Sequence, residues 1–156
     1  GGGDMIKQVE KESIIYNDAP NKFEAGTPNI TGAIGLGIAL NYFDKKIREG
    51  LFEHEIEISN YLHSQISSVK DIIIYGEDNI DSPIVTFNVK DQHPHDISTI
   101  IDNYGIAIRA GQHCCGPLMD LLGISASARA SIAMYTNKED IDNFIEALEK
   151  SITLFK

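Results

Sequence analysis

Two short runs rich in β-branched residues follow each other in the middle of the chain, at 71–77 and 82–89. Their length and composition predict two β-strands that are neighbours along the chain. Segments with the helical period precede this pair, and helix-like and strand-like segments follow it to the end of the chain. Some strands are therefore adjacent in order and others are separated by helices, which predicts an α+β fold.

The other elements follow from the same periodicity. Two long helices are predicted at 31–50 and 51–69, and each has apolar residues at helical spacing: Ile34, Ile38 and Tyr42 in the first, and Leu51, Ile58, Leu62 and Ile66 in the second. Beyond the two strands the prediction is helix, strand, short helix, strand and helix, at 95–105, 106–111, 116–123, 128–135 and 136–155. Thr136 is predicted to cap the last helix, with Glu139 at the spacing of a capping box.

The first 30 residues have no sustained period and contain several glycines, prolines and polar residues. A structureless opening of this length is unusual in a compact domain. We therefore expect the sequence to be a piece of a longer protein.

Composition narrows the class of protein. A chain of 156 residues with 42% apolar residues suits one domain with a packed core. Its net charge of −10 argues against general nucleic-acid binding and against docking on anionic membranes. No segment is typical of a membrane span or a secretory signal. Two adjacent cysteines cannot staple a fold, so we expect a cytoplasmic or organellar protein with reduced thiols.

The two cysteines lie in the segment "RAGQHCCGPLM", residues 109–119. A free cysteine is often a small buried hydrophobic residue. This segment, however, follows a predicted strand and contains glycines on both sides of the pair, which favours an exposed loop. Arg109 and His113 bring positive charge or polarity that increases the thiolate fraction, and Arg129 on the next strand suits a carboxylate. A reactive thiol is slightly favoured over a structural one.

The histidines are a weaker signal. His93 and His95 form an H-x-H pattern, but zinc sites usually need four ligands and no C-x-x-C is present. A solvated turn before a helix is the favoured interpretation. His54 and His63 lie among polar residues of a predicted helix and are expected to be exposed.

Several segments together resemble the group II cysteine desulfurases, which belong to the class V aminotransferase group of fold-type I pyridoxal-phosphate enzymes. "RAGQHCCGPLM" resembles their cysteine loop, and "ARASIAMYTNKEDID" resembles the stretch that follows it. "GGGDMI" and "KFEAGTPNITGAIGLGIAL" resemble blocks upstream. The resemblance covers nearly the whole chain. It implies the small C-terminal domain of these enzymes, with about four mainly antiparallel strands packed against helices, after an irregular segment and long helices.

The resemblance also implies a reaction. With pyridoxal 5′-phosphate, L-cysteine would give L-alanine and a persulfide on Cys114, and the sulfur would pass to a Suf-type acceptor for iron–sulfur cluster assembly. Arg129 would bind the substrate carboxylate, while Arg109 and His113 would shape the loop and its charge. Cys115 stands where the family more often has a small residue and receives no role.

Two further positions carry roles implied by the resemblance. Thr27 matches a residue that reaches the cofactor phosphate of the partner subunit in a homodimer. His95 matches a segment in enzymes whose acceptor is a zinc protein, so it is a possible ligand to a partner's zinc. No metal site is predicted within the chain. Gln112 stands where relatives often have a second histidine, which puts a proton-relay role there in doubt.

The family's Schiff-base lysine follows a histidine, and no lysine does so in this sequence. The resemblance therefore makes this the C-terminal part of the enzyme, with 1–30 belonging to the large cofactor domain and 31–156 forming the crossover helix and small domain. The chain alone is expected to be inactive and not to hold the cofactor. Selenocysteine lyase stays open as an alternative, as does a non-catalytic sulfur-relay or interaction module.

Overall fold

The computed structural model describes residues 1–76 and 82–154. The chain forms two compact units, Gly1–Glu49 and Gly50–Lys156. One predicted strand includes Glu77 and the last predicted helix includes Phe155. Both residues lie outside the described residues.

The first unit contains a hairpin that the sequence did not predict. Strands β1 (Ile6–Val9) and β2 (Ile14–Tyr16) pair antiparallel, between single 3₁₀ turns at Gly3–Met5 and Asn21–Phe23. Most of the hairpin's side chains are exposed on both faces. They therefore lack the apolar and polar alternation by which a half-buried strand is recognised in a sequence.

Helix α1 (Ile30–Arg48) completes the first unit and confirms the first predicted helix. Its N-cap is Asn29, whose side-chain Oδ1 accepts a hydrogen bond from the backbone N–H of Gly32 at 2.8 Å. None of the α1 side chains is buried. The apolar residues that predicted the helix are more than half exposed, among them Ile34, Ile38 and Tyr42.

The second unit is a four-stranded antiparallel sheet with helices packed against it. Its elements are α2 (Leu51–Ser68), β3 (Ile72–Tyr75), β4 (Ile84–Val89), α3 (Pro94–Asp102), β5 (Arg109–Gly111), α4 (Gly116–Leu122), β6 (Ser127–Ser131) and α5 (Lys138–Leu154). The strand order is β3-β4-β6-β5, and each neighbouring pair is antiparallel. The predicted α+β class and the mainly antiparallel sheet are confirmed.

The core lies between one face of this sheet and the helices. All four residues that were predicted to share a side of α2 are buried: Leu51, Ile58, Leu62 and Ile66. On β4 the side chains of Val85, Phe87 and Val89 alternate into the core, as a half-buried strand requires. Phe87 meets Phe144 of α5 edge to face, with ring centroids 6.1 Å apart.

Two details of the predicted helices are wrong. The N-cap of α5 is Asn137, not Thr136: Asn137 Oδ1 accepts from the N–H of Asp140, and Asp140 Oδ2 accepts from the N–H of Asn137. This reciprocal pair is a capping box one residue later than predicted. The second detail is His63, which is only 7% exposed because it lies beside the buried stripe of α2.

The other face of the sheet carries polar side chains. Ala128 and Ala130 of β6 belong to the core, so the alternation of the strand directs Arg129 to the opposite face. Arg129 pairs with Thr86 on one neighbouring strand and with Arg109 on the other. The cysteine loop begins directly after β5, the strand that carries Arg109. Among the described helices, none is long and apolar enough to cross a membrane.

Candidate active site

Two arginines lie directly opposite each other on β5 and β6. Arg109 and Arg129 are register partners at the edge of the sheet. Like charges in opposite positions destabilise a strand pair unless something compensates them. Within residues 1–76 and 82–154, neither arginine forms an ion pair with a carboxylate, and the buried Nε of Arg129 has no hydrogen-bond partner. The pair is therefore suited to an anion from outside this chain.

The cysteine loop turns back towards these arginines within four residues. The backbone N–H of Cys115 donates to the carbonyl of Gln112 at 3.0 Å, which closes a tight turn. The two central residues, His113 and Cys114, have φ values of 55° and 58°. Residues other than glycine adopt this left-handed conformation at a cost of about 1–3 kcal/mol each. The loop therefore holds both residues in a strained conformation.

The strained turn brings the thiol of Cys114 to a guanidinium. Arg109 Nη2 lies 3.4 Å from Cys114 Sγ, within the range of a hydrogen bond to sulfur. A guanidinium at this distance stabilises negative charge on the sulfur, and the thiolate is the nucleophilic form. Cys114 is also exposed, so a substrate can reach it. The prediction that this cysteine lies in an exposed loop beside positive charge is confirmed.

His113 contributes to the site in a different way from the arginines. Its Nε2 lies 3.0 Å from both the carbonyl oxygen and the Oγ of Ser127. Burial, more than the nearby charges of Arg129 and Arg109, lowers the pKa of His113 below its ordinary value. The ring is therefore neutral near pH 7 and donates from Nε2 to the carbonyl, which leaves the lone pair on buried Nδ1 without a partner among the described residues. The positive charge in the loop comes from Arg109, not from His113.

Ser127 is a residue of the site that the sequence analysis missed. It is fully buried on β6, two positions before Arg129, so the two residues share a face of the strand. Its two oxygens hold the ring of His113. The strand alternation around Arg129 was the signal that could have identified it.

Cys115 occupies the N-cap position of α4, and its thiol makes no capping hydrogen bond. Its side chain is exposed like that of Cys114. The cap is instead formed by the backbone: the carbonyl of Cys115 accepts from the N–H of Leu118 at 3.1 Å. The backbone of Cys115 is held by hydrogen bonds, while its thiol makes none among the described residues.

His95 lies close to the start of the cysteine loop. Its Nε2 is 3.9 Å from the position that a β-carbon would occupy on Gly111, the last residue of β5. Gly111 has a φ of 132°, which favours glycine. His93 caps α3 by accepting from the N–H of His95 at 3.3 Å, and the two rings stack. His95 itself is exposed. In the described part of the chain, no group of three or more His, Cys, Asp or Glu residues could hold a metal ion.

Thr27 belongs to the first unit, where it is exposed two residues before the N-cap of α1. Helix N-termini attract phosphate groups through their free N–H groups. The N–H groups of Ile30 and Gly32 already donate to the carbonyl of Pro28 and to Asn29 Oδ1, so Thr27 and the N–H of Thr31 are what could contact a phosphate. These residues fit one phosphate contact of the implied cofactor.

A family model for class-V aminotransferases matches residues 1–144. The chain belongs to the class-V aminotransferase family. Among its curated relatives, this class-V chain is 43% identical over 155 residues to a protein of Staphylococcus epidermidis named probable cysteine desulfurase. It is 44% identical over the same length to a protein of the same name from Staphylococcus aureus. Each alignment covers 99% of the chain and 38% of the relative, so the chain spans well under half of their length.

Solved structures of cysteine desulfurases also match this class-V chain. The chain matches the cysteine desulfurase CsdA of Escherichia coli with a TM-score of 0.81 and 31% identity, over 99% of the chain and 38% of that structure. It matches the apo cysteine desulfurase of Thermococcus onnurineus with a TM-score of 0.79 and 34% identity, over 97% of the chain and 38% of that structure. The resemblance to cysteine desulfurases, drawn from several segments of the sequence, is confirmed.

Proposed function

We propose that the chain acts within a longer pyridoxal-phosphate-dependent cysteine desulfurase, in which Cys114 takes the sulfur of L-cysteine and L-alanine is released. The observation that carries this proposal is the 3.4 Å contact between Arg109 Nη2 and the exposed Sγ of Cys114. An exposed thiol beside a guanidinium is a nucleophile rather than a core residue. The names of the relatives, probable cysteine desulfurase, support the same activity.

In the proposed reaction the thiolate of Cys114 attacks the sulfur of bound L-cysteine. A bond forms between the two sulfurs as the bond from the substrate sulfur to its β-carbon breaks, and the product on the protein is a persulfide. Pyridoxal phosphate, when bound, supplies the electron sink that makes the substrate carbon accept the released electron pair. The contribution of this chain is to place the guanidinium of Arg109 in contact with the attacking sulfur.

Arg129 binds the carboxylate of the substrate in this proposal. Its guanidinium can form two parallel charge-assisted hydrogen bonds with a carboxylate. The missing ion-pair partner of Arg129, within the residues that the structure describes, leaves these donors available. A bound carboxylate would also relieve the repulsion between Arg129 and Arg109 across the strands.

His113 has a positioning role. Its neutral ring bridges from the loop to Ser127 on β6 and thereby holds the turn that carries Cys114. The lone pair on its buried Nδ1 has no partner among the described residues, so the ring is held only through Nε2. The ring stays neutral because burial lowers its pKa.

The cofactor would be held only in part by this chain. Thr27 and the first turn of α1 are suited to contact a cofactor phosphate. In a homodimer this would be the phosphate of the cofactor that the partner subunit binds. In the same proposal residues 1–30 belong to the large cofactor domain, and 31–156 form the crossover helix and the small domain.

The persulfide on Cys114 would be passed to a Suf-type acceptor protein for iron–sulfur cluster assembly in the cytoplasm. His95 is the proposed docking contact, as a ligand to the zinc of such an acceptor. Two observations support it: His95 is exposed, and its Nε2 lies near Gly111 at the base of the cysteine loop. A single imidazole offered across an interface needs no second ligand from this chain.

The test of the proposed activity is product formation by the full-length protein reconstituted with pyridoxal phosphate. L-cysteine in the presence of a thiol reductant should give equal amounts of L-alanine and sulfide. Formation of pyruvate and ammonia instead of alanine would identify a different reaction and would refute the proposal.

A further inference from the structure

Cys115 is a second exposed thiol directly beside Cys114. Its backbone is fixed by the hydrogen bond to Gln112 and by the first turn of α4. Its Sγ has no hydrogen-bond or ionic partner in the described part of the chain. The thiol is therefore engaged by no hydrogen bond or ion pair of the described residues, and it follows Cys114 directly in the chain.

The spacing of the two residues decides which reaction is open to them. Across the trans peptide bond between them, the two Cα atoms are about 3.8 Å apart. A disulfide normally spans about 4.4–6.8 Å between Cα atoms, so a direct bond from Cys114 to Cys115 would be strained. A persulfide on Cys114 adds one S–S bond of about 2 Å, which moves its outer sulfur away from the backbone. Cys115 meets this outer sulfur with less strain than it meets Cys114 Sγ.

We propose that Cys115 is a second sulfur carrier, which accepts the outer sulfur of the Cys114 persulfide and frees Cys114 for another turnover. This inference rests on the proposed function. The thiolate of Cys115 attacks the outer sulfur, so a bond forms between Cys115 Sγ and that sulfur. The bond from the outer sulfur to Cys114 Sγ breaks, and its electron pair stays on Cys114 as a thiolate. The proton on the outer sulfur moves with it, and the exchange needs no oxidant or reductant.

The arginine gives this exchange a direction. Arg109 Nη2 contacts the sulfur of Cys114, and within the described residues no cationic group contacts that of Cys115. The guanidinium stabilises the negative charge that the exchange leaves on Cys114. A thiol that is better stabilised as a thiolate is the better leaving group in such exchanges. Sulfur should therefore accumulate on Cys115.

The experiment locates the sulfur directly. The full-length enzyme, loaded with pyridoxal phosphate, is mixed with less than one equivalent of L-cysteine without reductant or acceptor, and then alkylated and digested with trypsin. Arg109 and Arg129 bound a single tryptic peptide, residues 110–129, that contains both cysteines. Fragment ions that separate Cys114 from Cys115 show which residue holds the extra sulfur. We expect more than half of it on Cys115.

A second readout is the number of turnovers before the enzyme is saturated with sulfur. In the first burst after mixing with a few equivalents of L-cysteine and no acceptor, before the thiol of free L-cysteine removes sulfur from the protein, the parent enzyme should release about two alanines per active site and Cys115→Ser about one.

Alanine formation with sulfur confined to Cys114, and with equal stoichiometry in both proteins, would overturn the relay alone. A Cys114–Cys115 disulfide accompanied by free sulfide would also overturn it, because the attack would then have occurred at Cys114 Sγ. Absence of alanine would refute the proposed function and the relay together.

Discussion

Replacing Arg129 by lysine tests the substrate-binding role with little change in charge. Lysine keeps the positive charge opposite Arg109, so the electrostatic balance of the strand pair is retained. Lysine lacks the planar fork, so one of the two charge-assisted hydrogen bonds to a carboxylate is lost. Such a bond contributes about 1.5–3 kcal/mol, which corresponds to a rise in KM of roughly 10- to 150-fold.

The assay is steady-state alanine formation from L-cysteine by the full-length enzyme, compared between the parent and Arg129→Lys. Thermal unfolding of both proteins serves as the control, and the melting temperatures should agree because the charge on β6 is unchanged. A KM within twofold of the parent value would refute the assignment of the carboxylate to Arg129.

Three further predictions concern other parts of the chain. Burial lowers the pKa of His63, so the unfolded state takes up a proton at a higher pH than the folded state does. The chain should therefore lose stability as the pH falls below about 6.5. His63→Leu should make the melting temperature less dependent on pH in this range, and an unaltered dependence would contradict this reasoning. In the full-length enzyme, His95→Ala should slow sulfur transfer to a zinc-bearing acceptor while alanine release with a small-molecule reductant continues. Equal transfer rates for the variant and the parent enzyme would show that His95 is only a turn residue. The chain alone should not retain pyridoxal phosphate through dialysis, since no lysine follows a histidine in its sequence; a persistent visible absorption band of the cofactor would contradict this.

The sequence predicted most of the helices and strands of the second unit because their apolar periods are strong. The two errors concern the N-cap of α5 and the burial of His63. Thr136 and Asn137 are adjacent residues that both favour an N-cap, and only the reciprocal bond with Asp140 selects Asn137. His63 follows Leu62 and precedes Ile66 by three residues, so its position on α2 indicates burial although its polarity suggested exposure.

Most residues of the candidate site were predictable from the sequence, but Ser127 and the geometry of the site were not. The motif identified Cys114, Arg109 and Arg129 as a group. Only the strand register aligns the two arginines, because a shift of one residue would direct them to opposite faces of the sheet. Burial lowers the pKa of His113 and outweighs the hydrogen bond to Ser127, which raises it; both effects arise from tertiary packing that no local pattern encodes.

The most direct test of the account compares Cys114→Ser with Cys115→Ser in the full-length enzyme, with alanine release from L-cysteine in the presence of a thiol reductant as the readout. Only Cys114 has a guanidinium in contact with its sulfur among the described residues, so it should be the attacking thiol. The account predicts that Cys114→Ser abolishes multiple turnover and that Cys115→Ser continues to turn over. Loss of turnover in Cys115→Ser, with activity retained in Cys114→Ser, would contradict it.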